Sequence, residues 1–140
     1  MSNFTENHVE EAALSWLEAL GYAVVHGPDI SPDGPTPERT SYADVILADR
    51  LRDALTAINS HLPVDALDEV VKKLQQTETP SLVEENRRLH RMFVEGVDVE
   101  ITREDGSTGG DKAWLIDFEN PENNDWLALN QFTVIEHQAN

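Results

Sequence analysis

The spacing of apolar residues divides the chain into short helical and strand segments. Val9, Ala13, Trp16, Leu17 and Leu20 recur at the three-and-four spacing of an inward helix face. Asn3 precedes them as a candidate N-cap, with Glu6 three residues on as its reciprocal acid. Gly21 is placed to stop that helix, since glycine takes a left-handed backbone without cost. Tyr22-Ala23-Val24-Val25-His26 then reads as a short buried strand. Residues 27–37 hold four of the seven prolines, at 28, 32, 35 and 37. This predicts a loop poor in backbone donors and long for a simple connection, with either a functional role or disorder behind it. Helices are predicted from about Tyr42 to Asn59, from about Asp65 to Gln76, and from Ser81 to Gly96, the last opening on Ser81-Leu82-Val83-Glu84 as a capping box. Val97-Asp98-Val99-Glu100-Ile101 alternates apolar and acidic residues, as a half-buried strand does. Asp105-Gly106 with Gly109-Gly110 reads as a turn cluster, and Ala113–Phe118 as the returning hairpin strand. Trp126–Ile135 reads as one more strand, completing a meander. The order predicts a mixed α/β (α+β) fold with helices packed on a small sheet, and 1–140 as a single region.

Composition narrows the function classes. The chain has 140 residues, 39% of them hydrophobic, enough for one core. No apolar run approaches the roughly 18 residues of a membrane span, and Met1–Glu6 has no basic and apolar leader. A cytoplasmic protein with no membrane partner is expected. The absence of cysteine excludes disulfides, thiolate chemistry and cysteine-ligated metals. Twenty-seven acids against ten Lys and Arg give a net charge of −17. A protein that grips DNA alone usually carries a positive face, so any basic face here is small. The charge fits a solubilising surface, or work beside a more basic partner. Ten acids between Glu95 and Asp125, against only Arg103 and Lys112, also keep open an acidic interaction module or DNA mimic that binds a DNA-processing enzyme.

Few residues carry recognisable chemistry. His8, His26, His61, His90 and His137 are scattered one per element, without the spacing of a zinc site. Gly-Ser-Thr-Gly-Gly at 106–110 lacks the Lys-Ser/Thr and the strand-to-helix setting of a phosphate loop, so ATP binding is not expected. Glu10 stands three, four and seven residues before Ala13, Leu14 and Leu17, on the face that packs inward. Such a carboxylate either lays its stem on the core with its oxygens in water, or leans over a metal-dependent site on the adjacent sheet. Arg87, Arg88 and Arg91 share one helix with His90, placed either for phosphate contact or for pairing with Glu84 and Glu85. Arg39 closes the proline-rich loop and is a candidate anchor for it.

An ordered set of segments resembles the opening of the R (restriction) subunit of type I restriction–modification enzymes. It comprises Thr5-Glu6 and Val9–Tyr22, Glu38–Val45 with Arg50-Leu51, Gly96–Val99, Asp117–Pro121, and Asn130-Gln131-Phe132-Thr133-Val134. The resemblance runs from about residue 5 to residue 136. It implies the first part of a PD-(D/E)xK-type endonuclease domain, followed in the parent by ATP-driven motor domains. It further implies Mg2+ and ATP for the parent, and DNA, methylase and specificity subunits as partners. The family's metal-binding Asp and its Glu-x-Lys pair are expected after Asn140, and no Glu-x-Lys occurs in the chain. The resemblance therefore implies an inactive fragment with no metal or cofactor of its own. Glu10 matches the family's accessory helix carboxylate.

Overall fold

Residues 5–136 are described by the computed structural model. Asn3, the expected cap, lies outside them. The first helix, α1 (Glu6–Ala19), instead starts from Thr5, whose backbone N–H donates to His8 Nδ1 at 3.2 Å. The imidazole thus does what a capping-box carboxylate would do. The helix ends as the glycine predicts. Gly21 has φ +104°, and Gly21 N and Tyr22 N donate to the carbonyls of Glu18 and Leu17, both at 3.0 Å. This crossed pair is the Schellman arrangement.

The fold is mixed α/β, and its chain divides into two compact units. The first holds the described residues up to Leu47 together with those from Asp125. In it, β1 (Ala23–His26) pairs in parallel with β4 (Leu127–Asn130), Ala23 opposite Leu127 and His26 opposite Asn130. The α1 helix packs against this strand pair. The expected meander is therefore absent: β4 joins the strand laid down about a hundred residues earlier. It is also shorter than the apolar run suggests. Gln131 takes φ +46°, which breaks the extended backbone.

The proline-rich segment is ordered. Gly27–Ile30 forms one 3-10 turn, Ile30 and Ser31 are buried, and Thr36 N and Glu38 N donate to the carbonyls of Asp29 and Ile30. Gly27 lies so close to the carbonyls of Asn130 and Gln131 that a Cβ would overlap both. Arg39 anchors the loop. It is buried, stacks on the Phe132 ring at 3.9 Å, and donates to the carbonyls of Tyr42, Asp44 and Thr133. The helix predicted from Tyr42 accordingly begins only at Ala48. The carbonyls of Tyr42 and Asp44 are taken by Arg39, and that of Tyr42 also accepts from Ile135 N, so they are withheld from a helix ladder.

The second unit, Ala48–Asn124, is contiguous in sequence. It contains α2 (Ala48–Ile58), α3 (Val64–Gln75), α4 (Leu82–Glu95) and a hairpin of β2 (Val97–Thr102) with β3 (Thr108–Ala113). The α3 helix buries Leu67, Val70 and Val71 at helical spacing and packs against α2 and β2. With Leu55, Val97, Val99 and Ala113 they form the core of this unit. Each buried leucine or valine among them contributes roughly 1.5–3 kcal/mol by leaving water. The hairpin partner of β2 is 108–113 rather than 113–118. The turn closes early, at Gly106 with φ +84°, and Gly109-Gly110 lies in the strand. Asn59 then ends β3. Its fully buried amide accepts from Trp114 N and donates to Trp114 O, both at 2.8 Å. A side chain at the end of α2 thus occupies the place of a neighbouring strand.

Candidate functional site

Glu10 is half-buried on α1, in line with the half-buried Leu14 and Leu17. These three form the side of the helix turned to the β1–β4 pair. Ala13, expected to share that side, is exposed, as are Val9, Trp16 and Leu20. Next to the strand ends, His26 Nδ1 lies 3.0 Å from Asn130 Oδ1, which also accepts from Gly27 N at 3.1 Å. With that oxygen as acceptor, His26 Nδ1 is the donor of the pair.

The described histidines stay apart. His8 caps α1, and His61 lies 3.9 Å from Asp111. Among the described residues no three His, Asp or Glu side chains converge to hold a metal. They do not by themselves form the oxygen-rich shell that Mg2+ takes.

The arginine cluster occupies the second unit. A cleft of about 420 Å³ is lined by Lys73, Arg87, Arg88, Arg91 and Lys112, with Glu78, Glu84, Glu95 and Asp98 among them. Half of the ten Lys and Arg of the chain meet here. The cleft is therefore close to neutral on a protein of net charge −17. The three arginines differ. Arg88 is a strut: it grips Glu85 through Nη2 at 2.9 Å and donates to the carbonyls of Lys73 and Gln76 at 3.1 and 2.7 Å. Glu85 in turn accepts from the backbone N–H of Glu78 and Thr79 at 2.9 and 3.0 Å. The hydrogen bond from Arg88, then those two amides, hold its carboxyl below the usual glutamate range against the opposing effect of burial. Arg87 and Arg91 are exposed one helical turn apart, and among the described residues no hydrogen bond or ion pair engages either. Helical pairing thus takes Arg88 and leaves the other two.

The capping box at Ser81 is half formed. Ser81 Oγ accepts from Glu84 N at 3.4 Å, while Glu84 turns to Thr79 Oγ1 at 3.0 Å. The sequence offers Glu85 as a partner for the arginines, as found with Arg88; what its pattern does not show is that Glu85 also accepts from the Glu78 and Thr79 amides. It is one residue beyond the box position and resembles any solvent-facing glutamate in the first helical turn.

Residues 3–140 match the model of the family described as the type I restriction enzyme R protein N terminus. The chain belongs to that family. The endonuclease subunit of the type I restriction enzyme HindI from Haemophilus influenzae is 31% identical over 129 residues. A type I restriction enzyme endonuclease subunit from Methanocaldococcus jannaschii is 34% identical over 132 residues. The matches cover 92% and 94% of this chain and 12% of each relative. This R-protein N-terminal chain thus spans about an eighth of the length of those subunits. No solved structure matches it.

Proposed function

We propose that the chain is the first part of the endonuclease domain of a type I restriction R subunit and that it acts in DNA cleavage by the intact enzyme. The family match over residues 3–140 carries this reading. In the proposal, 1–140 is one functional region of a PD-(D/E)xK-type nuclease domain in a cytoplasmic complex with the methylase and specificity subunits. Glu10 is its accessory carboxylate, supported by its half-buried place beside the strand pair. Arg87 and Arg91 contact the DNA backbone, with Arg88 holding their helix against the preceding turn. The Mg2+ ligands and the ATP-driven motor are assigned in this reading to other segments of the subunit, since the sequence holds no Glu-x-Lys and no phosphate-loop motif.

The test compares two proteins on supercoiled plasmid with Mg2+. The 140-residue chain is expected to leave the plasmid intact. A chain extended by about 100 residues, a domain-scale length, is expected to bind Mg2+ detectably by calorimetry. Reproducible cutting by the short chain that is abolished by Glu10→Ala would overturn the proposal. So would an extended chain that is folded but binds no metal.

A further inference from the structure

The α1 helix is apolar over a wider arc than its strands cover. At 100° per residue, its apolar positions span roughly 220° of the helical wheel. Leu14 and Leu17 are half-buried on the side turned to β1 and β4. Beyond a half-buried Ala12, the rest of the arc is open: Val9 is 64% exposed, Trp16 71% and Leu20 77%, with Ala13 exposed between them. Positions 9, 13, 16 and 20 repeat by four, three and four. That is the a/d seam of two helices packed side by side. The row is about 16 Å long at 1.5 Å per residue. Trp16 rises beside small residues (Ala12, Ala13 and Ala19), so the seam has a knob and the beginnings of holes. A helix with apolar positions on two sides is ordinarily buried on both.

We infer that this seam docks an amphipathic helix from the remainder of the R subunit, with an apolar row flanked by Lys or Arg. Two observations choose the occupant. The matched region is 12% of each relative, so most of such a subunit lies outside it. In addition, α1 carries Glu6, Glu10, Glu11 and Glu18 and no Lys or Arg. Glu6 borders the seam directly. A second copy of this acidic helix would meet like charge, on a chain already at −17. A helix with basic flanks would meet opposite charge along its edge.

The inference rests on the proposed R-subunit identity, and the experiment separates the two. Hydroxyl-radical footprinting read by mass spectrometry reports Trp16 and Leu20 individually in the 140-residue chain and in the intact subunit. Both residues are expected to react fully in the short chain and severalfold more slowly in the intact subunit. Trp16→Ser is expected to leave the Tm of the short chain within about 1 °C but to lower that of the nuclease domain in the intact subunit by about 4 °C or more. Glu6→Lys should partly unmask Trp16 in the intact subunit. Equal reactivity of Trp16 in the two proteins overturns the docking. So does sedimentation of the short chain as a dimer that Trp16→Ser dissociates. An intact subunit that cleaves DNA with Trp16 still open removes the docking alone. One that covers Trp16 but has no nuclease activity removes the function instead.

Discussion

Asn59 and Arg39 are buried side chains that each donate to backbone carbonyls. Asn59 ends a strand by giving the Trp114 peptide unit an acceptor and a donor in one amide. Asn59→Ala leaves both groups without their partner in a partly buried place. The cost is expected to be about 2–3 kcal/mol, read from the urea midpoint at unchanged slope. A loss under about 0.5 kcal/mol, the ordinary range for a surface substitution, would mean that water substitutes freely there. Arg39 serves the first unit in the same way, with its guanidinium on the Phe132 ring and its N–H groups on three carbonyls. Lysine cannot replace it, having neither the planar fork nor the stacking face. Of the two, Arg39 is legible in the sequence as the residue that closes a proline-rich loop. Asn59 is not, because it resembles any polar residue at the end of a helix.

The elements were legible where one periodicity had one consequence. The α3 helix, α4 and β2 stand close to where apolar spacing puts them, and Leu67, Val70 and Val71 are buried as that spacing requires. Misreadings arise where spacing is silent about partners. The stripe through Val9 and Trp16 has a helical period, but period alone does not say which of two apolar arcs the strands cover. The run from Trp126 to Ile135 is strand-like in composition, but the left-handed Gln131 leaves no signature. The connection into α4 is held by charge, and this can be tested. Glu85 is held below the ordinary glutamate value of 4.5, first by Arg88. A carboxylate lowered in the folded state adds stability that is complete above its unfolded pKa. That stability is lost as the pH falls through the folded value. Urea midpoints of the parent and Glu85→Gln should therefore differ at neutral pH and converge in acid. A gap that stays constant with pH would show that Glu85 acts through shape and not charge.

At the scale of the molecule, the charge sets how DNA contact can work. A surface at −17 repels phosphate, and the near-neutral cleft around Arg87 and Arg91 only lifts that repulsion locally. Binding to DNA should therefore be weak in the short chain and depend on basic parts of the intact enzyme. In the intact subunit, Arg87→Ala with Arg91→Ala is expected to reduce the slope of log K against log salt by about 2, roughly one per lost phosphate contact. An unchanged slope would take both arginines off the DNA. The parallel pairing of β1 with β4 has a consequence for how the chain is made. The second unit is one uninterrupted stretch, so its contacts need no residue beyond Asn124. The first unit must hold its opening helix and strand in waiting until the far side of that stretch arrives. Closing so long a loop costs entropy before any contact repays it, and it slows folding. During synthesis, the hairpin and its three helices are therefore expected to assemble before β1 finds β4.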